Sequence, residues 1–217
     1  MQIRTFTGGG FGQNAYLAIC QSTSACVGVD PGAGATMLVR AIEEEDLDLQ
    51  AVLLTHAHLD HVEGISDVRA RHPGVPIWLH PNELHLYRGV HKQAAMFGLT
   101  TEPQPEPTDE LIPGESFQFG DCTFEVSFAP GHSPGHVIFV SRPESLALVG
   151  DVVFQGSIGR TDLPGGSFET LMASIRREIL SLPDETILFP GHGSATTVGQ
   201  ERDTNPFLAP HRGGELA

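Results

Sequence analysis

The chain has 217 residues, the size of one ordinary domain with a sizeable core, and we expect residues 1–217 to form that single domain. Its 27 Asp and Glu residues outnumber its 12 Lys and Arg residues, and the formal net charge of −15 argues against a broad nucleic-acid surface, which would need clustered cations. The N-terminus lacks a basic segment followed by a long apolar run, so we expect no signal peptide and no membrane span. The chain has three cysteines, which we expect to be reduced thiols in the cytoplasm.

The first half of the chain alternates strand patterns with amphipathic helical patterns. Helices are expected at residues 35–45 and 63–71. Strands are expected at Gln2 to Phe6, Asn14 to Cys20, Ala25 to Val29, Ala51 to Leu54 and Pro76 to Leu79. By itself this order predicts mixed α and β structure.

The densest group of polar side chains follows the fourth of these strands. The run THAHLDH at residues 55–61 places three histidines and an aspartate within six residues. Imidazole and carboxylate bind zinc and iron well, and a strand end gives such ligands a rigid base. His56 and His58 are two residues apart, so an extended segment points both the same way, whereas Asp60 and His61 face a second position as the chain turns into the helix near residue 63. We interpret this run as one side of a metal centre.

The segment between the two halves is rich in proline. The alternating prolines of TEPQPEPTD at residues 101–109 prevent a regular helix or an inner strand, so we expect a surface connector. Residues 88–99 before it are typical of an amphipathic helix. The favoured interpretation is a helix that closes the core, and a lid over a substrate is the alternative.

The second half continues the alternation of strands and helices. Residues 115–119 and 122–128, joined through Gly120 and Asp121, predict a hairpin. Further strands are expected at Val137 to Ser141, Leu146 to Val149 and Ile187 to Phe189, with a helix at Phe168 to Leu180 and a short terminal helix.

Three isolated metal-ligand candidates lie where strands of the second half give way to glycine-containing loops. His132 stands in GHSPGH, Asp151 follows SLALVG, and His192 follows TILFPG. Glycine allows the backbone to approach a bound ion closely. The repeated arrangement predicts that these side chains complete the centre begun by residues 55–61. His136, also in GHSPGH, is expected to order the His132 loop without binding the metal.

With these motifs the chain resembles the metallo-β-lactamase superfamily, and within it the glyoxalase II-like hydrolases, from about residue 11 to residue 207. The pattern is specific because the ligands come from four separated places in order, HxHxDH, GHSPGH, GDVVF and PGHG. GSIGRTDLPGG at residues 156–166 and GQERDTNPF at residues 199–207 are similar to the small bacterial form of glyoxalase II, which lacks the C-terminal helical domain. The resemblance implies an α/β (α+β) fold, a four-layer αββα sandwich with a metal site at one edge between the sheets.

The resemblance also implies how one or two divalent ions are held. One ion would be held by His56, His58 and His132, and the other by Asp60, His61 and His192. Asp151 would bridge the two ions. Zinc is favoured, while iron and manganese stay open because all three metals accept imidazole and carboxylate ligands.

The implied reaction is hydrolysis of S-lactoylglutathione to lactate and glutathione. A water shared by two metal ions loses its proton near neutral pH and attacks the thioester carbonyl, with Asp60 orienting the metal-bound hydroxide. Arg160 occupies the region in which larger glyoxalase II enzymes hold glutathione with basic residues, so it is a candidate to bind a substrate carboxylate. The alternative of equal weight is that Arg160 pairs with Asp162 or with the loop of Asp151.

Other functions remain open for the same motifs. Persulfide dioxygenases share the fold, the HxHxDH run and a GRTD segment, but use one iron held by counterparts of His56, His132 and Asp151. In those enzymes aspartate and tyrosine follow the last histidine, whereas HGS at residues 192–194 favours the hydrolase. Lactonase and β-lactamase activities also fit the metal site. A non-catalytic or electron-transfer role is disfavoured because every ligand position is intact.

Overall fold

The structure is a computed structural model, and it describes residues 1–208. Its strands are β1 Gln2–Gly8, β2 Gln13–Ile19, β3 Ala25–Val29, β4 Asp48–Leu53, β5 Ile77–Leu79, β6 Asp109–Glu110, β7 Ser116–Phe119, β8 Cys122–Phe128, β9 Val137–Ser141, β10 Leu146–Gly150, β11 Val153–Phe154, β12 Ser157–Ile158, β13 Ile187–Pro190 and β14 Thr196–Thr197. Its α-helices are α1 Ala35–Glu44, α2 Leu59–Val62, α3 Ile65–Arg71, α4 Leu84–Arg88, α5 Val90–Met96, α6 Phe168–Ser174 and α7 Val198–Thr204. A 3₁₀ turn covers Pro81–Glu83, and a π-helical turn, Ile175–Ile179, continues α6.

Most strands belong to two six-stranded sheets. The first has the order β1-β2-β3-β4-β5-β6, and the second has the order β14-β13-β10-β9-β8-β7. In the first sheet β3 to β6 run parallel to one another, and in the second the parallel pair is β10 with β13. The short strands β11 and β12 form a separate hairpin directly after β10.

The side chains of the central strands face alternately inward and outward. In β2, Tyr16 and Ala18 belong to the core between the sheets, whereas Ala15 and Leu17 pack against α1. Both faces of β2 are therefore buried, which explains its continuous apolar pattern. β9 and β10 likewise turn part of their apolar residues toward α6 and the π-helical turn. Helices thus cover the outer face of each sheet, and the expected αββα sandwich is confirmed.

The helices are short. The longest α-helix is α1, with 10 residues, and among the helices of residues 1–208 none is long and apolar enough to cross a lipid bilayer. α6 begins after Ser167, whose side chain accepts a hydrogen bond from Thr170 N and so satisfies a free N–H of the first turn. α5 buries Val90 and Ala94, which agrees with the favoured interpretation of residues 88–99.

The predicted start of the second helix, near residue 63, is wrong. The chain forms α2 already at Leu59 and breaks at Gly64 before α3. Gly64 N donates to Pro31 O at 3.0 Å, and a Cβ on Gly64 would overlap Gly32 O. This close approach to the segment after β3 interrupts the helix, so Asp60 and His61 lie within a helical turn instead of in front of one.

Hydrogen bonds from β2 join the two sheets beside the end of β13. The Tyr16 hydroxyl donates to Pro190 O at 2.6 Å, and Asn14 Nδ2 donates to Pro190 O at 3.1 Å and to Gly193 O at 2.8 Å. Asn14 N also donates to Gly191 O at 2.8 Å. These bonds hold the loop of His192 against the first sheet.

Replacement of Tyr16 by phenylalanine should therefore destabilise the sandwich. The variant keeps the ring but loses a buried hydrogen bond, and we expect the free energy of unfolding to fall by about 1 kcal/mol. Urea denaturation followed by circular dichroism measures this value. An unchanged midpoint with an unchanged slope would show that this hydroxyl contributes nothing to joining the sheets.

Candidate metal centre

The seven side chains identified as metal-ligand candidates converge at one edge of the sandwich. The loop after β4 and helix α2 supply the first four, and the β8–β9 loop and the ends of β10 and β13 supply the others. Three groups of three side chains have ligand atoms that all lie within 4.8 Å of one another, and one of them combines Asp30 with His56 and His61. The other two consist of the predicted candidates alone, and we call them the first triad, His56, His58 and His132, and the second triad, Asp60, His61 and His192.

Asp151 lies between the two triads. Its Oδ2 is 3.4 Å from His132 Nε2 and 3.5 Å from His192 Nε2, and its Oδ1 is 3.3 Å from His61 Nε2. One carboxylate thus contacts histidines of both triads, which is the position that a bridging ligand requires.

Hydrogen bonds at Nδ1 fix the orientation and tautomer of three histidines. His132 Nδ1 donates to Arg160 O at 2.8 Å, His192 Nδ1 donates to Phe11 O at 3.1 Å, and His61 Nδ1 donates to Asp30 Oδ2 at 2.9 Å. Carbonyl and carboxylate oxygens only accept, so the proton is on Nδ1. Nε2 of each ring therefore faces the centre and Asp151.

His56 has the same tautomer for a less direct reason. The Thr55 hydroxyl donates its proton to Asp30 Oδ2 at 2.6 Å, so His56 Nδ1, 3.0 Å from Thr55 Oγ1, must be the donor in their contact. His58 turns its Nδ1 toward His132 Nε2, at 2.8 Å. The first triad therefore presents nitrogen atoms from three rings to one position.

The donor set fits divalent metal ions. His56 Nε2, His61 Nε2 and Asp151 Oδ1 are buried without a hydrogen-bond partner within residues 1–208. An unsatisfied buried polar atom costs about 1–3 kcal/mol, and ions bound to both triads would satisfy all three atoms. Imidazole and carboxylate are ligands that zinc, iron and manganese accept.

The two triads differ in the pKa of their histidines. Burial and the neighbouring imidazoles lower the pKa of His56 far below its usual value, and burial together with His132 lowers the pKa of His58 to about 3. Burial by itself raises the pKa of Asp151, but His61 and the other histidines lower it to a net value well below the usual one. In the second triad burial lowers the pKa of His61, but Asp151 and Asp60 raise it to a net value well above the usual one. Burial also lowers the pKa of His192, but its hydrogen bond with Asp60 and the charge of Asp151 raise it to a net value above the usual one. Metal binding needs neutral rings and an ionised carboxylate, so an ion at the second triad would displace protons from these histidines.

Asp30 is a supporting residue that the sequence reading missed. Its carboxylate accepts bonds from Thr55 N at 2.7 Å, from the Thr55 hydroxyl and from His61 Nδ1. Asp30 directly follows β3, just as Asp151 directly follows β10, so the rule that selected Asp151 would also have selected Asp30. Its bonds commit it to orienting the loop after β4.

His136 lies behind the centre, as a supporting residue should. Its ring stacks on His56 with 4.7 Å between centroids, and its Nε2 accepts a hydrogen bond from Asp151 N at 3.1 Å. His136 therefore contacts the backbone of the Asp151 loop, in addition to belonging to the His132 loop. Its role in ordering the site stays a prediction.

The backbone and the side chain of Arg160 make different contacts beside the metal centre. Its carbonyl holds His132, whereas its guanidinium forms two hydrogen bonds of 2.7 Å with Asp162. The pairing with Asp162, one of the two alternatives, is present. Both side chains are more than half exposed, so the pair contributes little and the guanidinium is available at the pocket that contains the centre.

An apolar wall borders this pocket on the side of α5. Phe97, just after α5, packs edge-to-face on Phe11 with 5.3 Å between ring centroids, and both residues line the pocket. Gln93 accepts from Leu59 N at 3.1 Å and donates to Ala57 O at 3.0 Å, which ties α5 to the ligand loop. The segment therefore closes the core and also borders the pocket, whereas its action as a lid over a substrate stays a prediction.

Comparison with known proteins agrees with this geometry. A family model described as the metallo-beta-lactamase superfamily matches residues 8–192. The chain belongs to the metallo-β-lactamase superfamily. It is a metallo-hydrolase of that superfamily, and its two triads occupy the edge at which the family resemblance had placed the metal site.

Several members of the superfamily are similar over nearly the whole chain. The hydroxyacylglutathione hydrolase GloC of Haemophilus influenzae is 42% identical over 206 residues, which are 91% of this chain and 93% of that protein. TTHA1623, crystallised in a di-iron-bound form, is 41% identical with a TM-score of 0.86 over 94% of this chain and all of that chain. The B3 metallo-β-lactamase BLEG-1 is 39% identical with a TM-score of 0.88 over 96% of this chain and all of its own. ETHE1 from Myxococcus xanthus, 23% identical with a TM-score of 0.80 over 96% of this chain and 84% of its own, shares the fold.

A methyl group at Gly191 should disrupt the centre of this metallo-hydrolase. A Cβ there would overlap Asp151 Oδ1 and lie 2.6 Å from His61 Cε1, so Gly191→Ala should displace the bridging position. We expect metal affinity to fall by about tenfold or more. Competition with a chromophoric chelator measures this affinity.

Gly74→Ala makes the same chemical change in open space, because nothing lies within 4 Å of its Cβ position. This control should keep the metal affinity of the unmodified protein. Equal affinities for the two variants would contradict the assignment of Asp151 and His61 as ligands.

Proposed function

We propose that the protein hydrolyses a glutathione thioester, with S-lactoylglutathione cleaved to lactate and glutathione as the reaction to test first. The observation that carries the proposal is the position of Asp151, whose two oxygens contact histidines of both triads. The 42% identity to a hydroxyacylglutathione hydrolase supports it. We further propose zinc as the metal and the cytoplasm as the location.

The two triads and Asp151 would hold two divalent ions in this mechanism. Bound there, such ions would lower the pKa of a water molecule and withdraw electron density from the thioester carbonyl. The protein contributes fixed rings, because each Nδ1 bond described above prevents the imidazole from rotating away. It also contributes the ionised carboxylate of Asp151, whose negative charge allows two cations to bind close together.

In this proposal Asp60 orients the attacking water. Its Oδ2 lies 3.2 Å from His192 Nε2, and its side chain is 17% exposed and lines the pocket. Burial raises the pKa of Asp60, but the neighbouring His61 and His192 lower it to a net value below the usual one, so the carboxylate is an acceptor. A hydrogen bond accepted there would direct the oxygen lone pair toward the carbonyl carbon. The thiolate that leaves is stable enough to depart without a strong general acid.

The pocket walls suit a thioester that carries a carboxylate, such as the glycine carboxylate of glutathione. Phe11, Phe97 and Leu163 offer apolar surface, and Arg160 offers a guanidinium that can bind a carboxylate through two parallel bonds. To do so, Arg160 exchanges Asp162 for the substrate. Because the existing pair is exposed, this exchange costs little.

Replacement of Arg160 by alanine should therefore weaken substrate binding. The variant keeps the carbonyl that holds His132, so we expect KM for S-lactoylglutathione to rise about tenfold with kcat nearly unchanged, the pattern of lost uniform binding. Steady-state kinetics at constant metal loading measure both values.

Asp162→Asn provides the matched control for this variant. It frees the guanidinium without removing it, so KM should stay the same or fall. A collapsed kcat with an unchanged KM in the Arg160 variant would show that the side chain orders the site and does not bind substrate.

The alternative function is a persulfide dioxygenase with one iron. It would use His56, His132 and Asp151, which do lie together, but it leaves the second triad without a role. The close grouping of the second triad, whose ligand atoms all lie within 4.8 Å of one another, supports the two-metal hydrolase.

Dependence on oxygen distinguishes the two functions. Hydrolysis consumes water alone, so S-lactoylglutathione should disappear equally fast under nitrogen and in air, followed by thioester absorbance. An oxygen electrode charged with glutathione persulfide and iron-loaded protein provides the comparison. Rapid oxygen uptake there, with negligible thioester cleavage, would reject the hydrolase.

A further inference from the structure

Glu83 is a buried carboxylate that contacts two ligand loops at once. It ends the 3₁₀ turn after β5, and its side chain is fully buried. Glu83 Oε2 accepts from Ala57 N at 2.8 Å, and Oε1 accepts from Gly135 N at 2.6 Å. Ala57 lies between His56 and His58, and Gly135 lies in the loop of His132. The three histidines of the first triad therefore come from the two loops that this one side chain joins.

From these contacts we infer that Glu83 is a positioning residue of the metal centre, which sets the spacing of the two loops that carry the first triad. The inference rests on the metal centre of the proposed function and not on its substrate.

The chemistry of the carboxylate explains why another side chain would not serve. Two backbone N–H groups approach the same side chain from different loops, so both of its oxygens must accept. Glutamine has one accepting oxygen, and its NH₂ group would face the second N–H. Gly135 packs tightly as well, because a Cβ on it would lie 2.9 Å from Glu83 Cγ and 3.0 Å from Asn82 Cβ. The loops therefore have little freedom to move around a weakened bond.

Small shifts of these loops matter because metal ligands must be held within about 0.5 Å of their working positions. A residue that orients ligands from outside the coordination sphere typically changes metal affinity by about 10- to 100-fold when it is replaced. A residue that merely fills the core would lower the unfolding temperature without this effect.

The chain offers a matched control in Glu201. This carboxylate is also fully buried, and it accepts from Gly156 N at 2.9 Å, from Thr196 Oγ1 at 2.6 Å and from Asn205 Nδ2 at 2.8 Å. None of these partners is next to a residue of either triad or to Asp151. Glu201→Gln therefore disturbs the same kind of bond away from the ligands.

The experiment compares Glu83→Gln with Glu201→Gln after removal of metal with a chelator. Zinc affinity is measured by competition with a chromophoric chelator, at a temperature at which circular dichroism shows each variant to be folded. Both variants should unfold at lower temperature than the unmodified protein. Glu83→Gln should bind zinc about 10- to 100-fold more weakly, whereas Glu201→Gln should stay within about twofold. The visible spectrum of cobalt-loaded protein should change in the Glu83 variant alone.

Two results would overturn the inference: unchanged zinc affinity in folded Glu83→Gln, or an equal loss of affinity in both variants. If Glu83→Gln does not fold, Glu83→Asp replaces it. That side chain keeps the charge but is too short to reach both loops, so the same loss of affinity is expected and the same outcomes count against it.

Failure of the proposed function would be recognisable separately. If the unmodified protein binds zinc tightly but cleaves no thioester, the substrate assignment fails while the zinc affinities still decide the role of Glu83. If thioester cleavage is fast and Glu83→Gln retains zinc affinity, only the inference about Glu83 fails.

Discussion

The structure depends on holding five imidazole rings and two carboxylates within a few ångströms of one another in a buried space. Buried rings and carboxylates without partners are unfavourable, so each must be fixed from outside and satisfied from inside. The outside contacts are protein hydrogen bonds at Nδ1 of His132, His192, His61 and His56, whose partners are the carbonyls of Arg160 and Phe11, the Asp30 carboxylate and the Thr55 hydroxyl. Ring nitrogens and carboxylate oxygens are then gathered inside the centre, and this is the set of atoms that binds a divalent cation.

The sandwich meets this requirement because strand ends from both sheets meet at one edge. β4 and β10 deliver His56 and Asp151 from different sheets, and Val137 N donates to Thr55 O at 2.9 Å to hold the sheets together there. Bonds from Asn14 and Tyr16 fix the end of β13 in the same way. The core between the sheets therefore does more than stabilise the fold, since its packing sets the distance, within each triad, between the ligands that follow β4 and the ligand that comes from the second sheet.

Two buried carboxylates outside the triads hold the ligand loops in position. Asp30 joins Thr55 to His61, and Glu83 joins the loop of His56 to the loop of His132. Each is buried, and each accepts hydrogen bonds from two partners, so neither can be shortened or neutralised without releasing a loop. The covering wall of Phe11 and Phe97 is linked to this framework through Gln93, which means that substrate-facing surface and metal ligands are coupled by direct contacts.

The sequence pattern by itself predicted mixed α and β structure, and the motifs, through the family resemblance they carry, implied the layered fold and named the side chains that gather at one edge. The reason is that those signals are local: the THAHLDH run is contiguous, and His132, Asp151 and His192 each follow a recognisable apolar strand and a glycine. Asp30 carried the same local signal after β3 and was overlooked. The roles of the seven candidates as metal ligands remain predictions that the metal-binding measurements test.

Only the tertiary structure decided which side chains support the centre. Glu83 lies 26 residues from Ala57 and 52 from Gly135, and Asn14 lies 176 from Pro190, so no spacing in the chain announces these contacts. The same holds for the break at Gly64, which arises because the segment after β3 packs against it. Ligands are recognisable from sequence because their chemistry is rare, whereas their supports use common side chains and backbone groups whose function depends entirely on where the fold places them.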